Sequence, residues 1–163
     1  MSGVPRSTQA ETSPGGYRLD VRSLLSILKF IWASPNTLLG LLLAAIGLIG
    51  GGKLRWVAGA FEAHGPWLQW ALNKFSLLPG GIAAITFGHL IIAQTAGHHD
   101  RTRLHERVHV EQYGRWGPFF LPAYGLASAW AMAKGRPAYL GNRFEREAYA
   151  REEAARDAAN STE

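Results

Sequence analysis

The sequence predicts a single domain of the α+β class, mostly helical, with a few short strands. Three observations predict it. The chain has 163 residues, room for one hydrophobic core. Apolar residues recur at helical spacing in its first third and again after residue 98. Between residues 54 and 93, short runs rich in β-branched and aromatic residues are punctuated by Gly and Pro.

The N-terminal segment, residues 1–17, is polar and rich in Ser, Thr, Pro and Gly. It has no apolar stretch of the kind a cleavable signal peptide carries, and it is expected to be a disordered tail. The domain is expected over 18–160. Asp20 can cap a helix in which Val21, Leu24, Leu25, Leu28, Ile31 and Trp32 share one face. Ser34-Pro35 then reads as a new helix start, because Pro suits the first helical position. Leu38 to Ile49 is apolar all round and ends at Gly50-Gly51-Gly52.

Leu54 to His64 is expected to form a hairpin or two short strands about Ala58-Gly59. Trp67 to Leu77 is expected to be a short helix, and Ile82 to Ala93 a strand. His98 to Gly114 reads as a helix. Trp116 to Ala133 is uncharged and aromatic, broken by Pro118 and Pro122, and Asn142 opens a last helix to about Ala159.

No formally charged residue occurs from Ile31 through Gly52. A helix apolar on every side lies in a core or in lipid. The stretches 31–52, 76–97 and 116–133 therefore leave two readings open: buried core, or association with a membrane through 31–52. The formal net charge is +5, but Lys and Arg are scattered and do not interleave with aromatics. The basic footprint that nucleic-acid binding needs is missing, so nucleic acid is not expected as a partner. The chain contains no cysteine, which excludes disulfides, thiolate metal sites and a Cys nucleophile. It fits a cytoplasmic or a membrane setting equally.

The chemistry concentrates at residues 105–109, His-Glu-Arg-Val-His. On a helix, positions i and i+4 share a face, so both imidazoles can address one ion. Imidazole is a good zinc ligand, and zinc activates water. Glu106, next to the first histidine, is placed to act as general base. A chance occurrence of this pattern in such a chain is roughly a one-in-a-hundred event.

Two histidines do not complete a catalytic zinc site. Glu145 in Asn142-Arg143-Phe144-Glu145 is the first candidate for a third ligand, though its spacing from Asn142 also suits a capping box. Glu147 comes next, on a different side of that helix. His98 is seven residues before His105 and close to the same face. Gln112 is seven residues past His105 and could orient a ligand by hydrogen bonding. Tyr113, Tyr124 and Tyr149 could each donate to an oxyanion.

With these residues in view, the chain resembles the gluzincin branch of HExxH zinc metallopeptidases. The resemblance covers about residues 101–149. It implies a minimal zincin-like domain whose motif helix and C-terminal helix bring His105, His109 and Glu145 onto one zinc ion. It further implies cleavage of a peptide or protein substrate with Glu106 as base, and an edge strand near Thr86 to His89 that pairs with substrate. The metzincin pattern fails, because Gln112 and Arg115 stand where it requires glycine and histidine. The chain is much shorter than familiar gluzincins and lacks an obvious second lobe for substrate.

Overall fold

The computed structural model describes residues 20–76 and 81–161. The expected N-terminal tail therefore lies outside the described residues. The fold is α+β and mostly helical, as expected. Asp20 caps α1 (Val21–Ile49), its carboxylate accepting the Ser23 N–H at 2.6 Å.

The expected break at Ser34-Pro35 does not occur, and α1 continues through Pro35 for 29 residues. The reason is tertiary. Ala33, Asn36, Thr37 and Ala44 form one buried stripe that spans the proline. Ala33 packs with Tyr113, Phe120 and Phe144, Asn36 donates to the Gly117 carbonyl at 2.9 Å, and Thr37 Oγ1 accepts the His89 N–H at 3.0 Å. This anchoring on both sides outweighs the one backbone hydrogen bond that proline removes. Among the described residues, one helical segment, Ser23–Ile49, is long and apolar enough to cross a membrane, with mean hydropathy 1.6; a third of its most apolar 18-residue window, 33%, is buried.

After α1, β1 (Lys53–Val57) and β2 (Ala60–His64) form the expected hairpin. Ala58 and Gly59 both take positive φ, 45° and 94°, as a two-residue turn between right-twisted strands requires. Then come α2 (Pro66–Lys74), β3 (Ala84–Phe87) and β4 (Leu90–Ala93). The strand expected over Ile82 to Ala93 is in fact two strands, folded back at Gly88-His89. Gly88 has φ 61°, and a Cβ there would lie 2.2 Å from Thr37 Oγ1. That hydroxyl accepts the His89 N–H at 3.0 Å, locking the turn against α1.

The sheet order is β1-β2-β4-β3, with β2 and β4 parallel and the outer pairs antiparallel. Strand β4 is buried along its length, as a central strand covered on both faces must be. On one face Leu90 and Ile92 pack with Ala44, Leu68 and Leu72 from α1 and α2. On the other, Ile91 and Ala93 pack with Ala60, Ala84 and Val110 of α3 (Ala96–Trp116).

Helix α3 is capped by Thr95, whose Oγ1 accepts the His98 N–H. A short 3-10 turn, Gly117–Phe119, leads into α4 (Phe120–Ala133). Pro118 and Pro122 sit in the first turns of these two elements, where N–H groups have no helical partner, so neither breaks the chain. Asn142 caps α5 (Arg143–Asn160), accepting the Phe144 N–H at 2.9 Å and donating to Tyr124 O and Ser128 Oγ of α4. Tyr113, Phe120 and Phe144 then clamp α3, α4 and α5 together with Ala33. This aromatic cluster fixes how α5 faces the HExxH helix.

Candidate metal centre

Helix α3 lies across the sheet and buries His105, Glu106, Val108, His109, Gln112 and Tyr113. Helix α5 brings Glu145, itself buried, against that face. The ligand atoms of His105, His109 and Glu145 all lie within 4.8 Å of one another, so this group could hold a metal ion. His105 Nε2 is 3.0 Å from Glu145 Oε2, His109 Nε2 is 3.4 Å from Glu145 Oε1, and the two Nε2 atoms are 3.2 Å apart.

The rings are oriented from behind. Gln112 Nε2 donates to the Phe144 carbonyl and to Glu147 Oε2, at 3.0 and 3.1 Å. The amide oxygen is thereby turned to His109 Nδ1, 2.8 Å away, and Nδ1 must carry the proton. His105 Nδ1 faces the carboxylate of Glu152 at 3.3 Å. In their neutral forms both imidazoles therefore aim Nε2 lone pairs at the same small volume, beside a carboxylate. Two nitrogen acceptors 3.2 Å apart with an oxygen acceptor beside them need a cation between them. This donor set fits a divalent metal ion of the borderline class.

In the metal-free protein a proton fills that need. Burial pulls His109 down, but the bonded Glu145 carboxylate more than reverses this, and its pKa is pushed up to about 9. Burial pushes Glu145 up, yet hydrogen bonds from His105, His109 and Tyr124 hold it well below the usual carboxylate range.

No family model, no curated protein and no solved structure matches this chain. The reading of the centre therefore rests on its own geometry.

Glu106 follows the first histidine and points to the sheet side, where Thr86 Oγ1 donates to its Oε2 at 2.7 Å. Burial raises its pKa. His105, Glu106, His109 and Glu145 together line a cleft of about 800 Å³. One wall is the segment Gly81–Thr86, and β3 is an edge strand whose outer side has no strand partner among the described residues. Thr86 lies in this strand, but Gly88 and His89 form the turn and are not part of the edge. The Thr86 carbonyl accepts the Tyr113 hydroxyl at 3.0 Å.

Other expected residues fall elsewhere. His98 Nδ1 pairs with Thr95 Oγ1 at the start of α3 and does not join the group. Glu147 binds Gln112 and Arg115 instead of facing the histidines. Tyr124 donates to Glu145 Oε1 at 2.6 Å, a bond that orients the carboxylate. Tyr149 packs on His105 with ring centroids 4.5 Å apart, its hydroxyl 3.5 Å from that of Tyr139 in the cleft wall. The sequence reading did not single out Glu152 or Tyr139. Glu152 was findable, since seven residues past Glu145 is nearly the same face of α5.

Proposed function

We propose that the chain is a zinc-dependent hydrolase of amide bonds, acting on peptide or protein substrates in the manner of gluzincins. The observation that carries the reading is the convergence of His105, His109 and Glu145 from two helices, with the buried carboxylate of Glu106 in the same cleft. His105, His109 and Glu145 would hold the ion, whose chemistry when bound is to activate water and polarise a carbonyl.

The protein's own groups do the rest. Gln112 and Glu152 hold the two imidazoles with Nε2 directed inward, and Tyr124 fixes Glu145. Glu106 takes the proton of the attacking water and delivers it to the leaving amine. The hydroxyls of Tyr139 and Tyr149, both in the cleft lining, are donors that a developing oxyanion could use. The edge strand β3 offers backbone groups to an extended peptide, and the apolar walls of the cleft favour apolar side chains.

The test is Glu106→Gln, with peptide-library cleavage and metal content measured on the same preparations. The variant should keep its zinc and lose about 100- to 10,000-fold in cleavage rate. Zinc-loaded wild type that cleaves no member of the library would point to a non-catalytic zinc protein.

A further inference from the structure

Helix α1 carries a surface that the metal centre does not use. Leu24, Leu28, Ile31, Leu38, Leu42 and Ile46 recur at helical spacing along one side, each 48% to 67% exposed. The opposite side is the buried stripe of Ala33, Thr37 and Ala44. At about 1.5 Å per residue, the helix is roughly 43 Å long. Every Ser, Thr, Asn and Lys of α1 falls off the exposed stripe. At Trp32 this surface meets Phe119, ring centroids 6.1 Å apart. From there it continues along α4 through Leu126 and Trp130, 73% and 66% exposed. An apolar surface this continuous is not ordinary for a solvated domain.

We infer that α1 and α4 together lie in the face of an anionic lipid bilayer, parallel to its plane. Three features favour lipid over a second copy of the chain. Among the described residues, the side chains named on this surface carry no donor or acceptor apart from the indole N–H of Trp32 and Trp130, which suit the headgroup boundary. A protein partner would bring hydrogen bonds and a polar rim. Cations border it: Lys53 just beyond the end of α1, and Lys134 with its Nζ 4.9 Å from the Trp130 ring. The chain's net charge of +5 has the sign that attracts anionic headgroups.

The in-plane orientation follows from what packs behind α1. Strands β1 and β2 and helix α3 contact its inner side. They carry an ion-pair cluster in which Glu62 meets Arg55 and Arg103 at 2.7 and 2.9 Å, and Arg103 meets Asp100 at 2.8 Å. A spanning α1 would draw these charges to hydrocarbon depth, at high cost. Lying in the boundary, α1 immerses its apolar stripe alone.

Flotation with phosphatidylcholine vesicles, with and without phosphatidylglycerol, tests this on the full chain. Wild type should float with the phosphatidylglycerol vesicles and be released by an alkaline carbonate wash. The double variant Leu28→Glu/Leu42→Glu and the single variant Leu126→Glu should each lose at least about tenfold in partitioning. Ala154→Glu, an exposed change on α5, should float like wild type. Circular dichroism and sedimentation velocity on the same samples report folding and self-association. Wild type that floats with neither vesicle overturns the inference, as does equal flotation with both. Carbonate-resistant retention overturns the in-plane arrangement. A wild-type dimer that the Leu28→Glu/Leu42→Glu change dissociates assigns the surface to a second copy.

Discussion

The Oε1 of Gln112 lies 2.8 Å from the Nδ1 of His109, one turn further along the same helix, and so decides which nitrogen of that ring faces Glu145. The amide cannot turn round, because its nitrogen is committed to Phe144 O and Glu147. Gln112→Ala should therefore weaken zinc binding by about tenfold or more while leaving the three ligands in place. Competition against a chromophoric chelator measures this. Unchanged affinity would show that the ring needs no such support.

Proton and metal compete for His109. In the metal-free protein its raised pKa, about 9 against an ordinary 6.5, gives a stabilisation that is complete below pH 6.5 and lost as pH climbs towards 9. Glu106, also raised, acts in the same direction. Depressed Glu145 acts at the acid end: its stabilisation is present above pH 4.5 and lost below. Metal binding displaces the His109 proton, so affinity should rise over the same alkaline interval. Melting temperatures with chelator and with zinc should therefore diverge from about pH 6.5 to about 9. A constant gap across that range would contradict the His109–Glu145 pairing.

The turn at Gly88 should be among the least tolerant surface-adjacent positions. Alanine there meets a φ of 61° and places Cβ 2.7 Å from the Thr37 backbone nitrogen, as well as against the Thr37 hydroxyl. Gly88→Ala should cost about 2–4 kcal/mol in unfolding free energy, read by denaturant titration. A loss within about 0.5 kcal/mol would show that the hairpin is not pinned to α1.

Much of this site was legible because its parts are local. His105, Glu106 and His109 lie within five residues, and helical spacing alone fixes their common face. Asn142 marked the start of α5, so Glu145 could be placed in its first turn. The capping-box and ligand readings of Glu145 were not separable on sequence; in the structure the carboxylate faces His105 and His109, and the Asn142 N–H donates to the Tyr139 carbonyl. What was not legible depends on contacts distant in sequence. The reversal at Gly88 hides in a run of β-branched residues, and only the Thr37 contact explains it. Pro35 reads locally as a helix start, yet burial on both sides carries α1 through it. Glu152 looks like one more charge on a solvated helix until α5 is docked on α3.

The central claim is that His105, His109 and Glu145 bind one metal ion together. The direct measurement is metal content by mass spectrometry on untagged wild type, His109→Ala and Glu145→Ala, purified at near-neutral pH. The proposed site predicts about one zinc per chain in wild type and loss from both variants, each with intact secondary structure. Wild type without metal, or Glu145→Ala retaining its full complement, would contradict it.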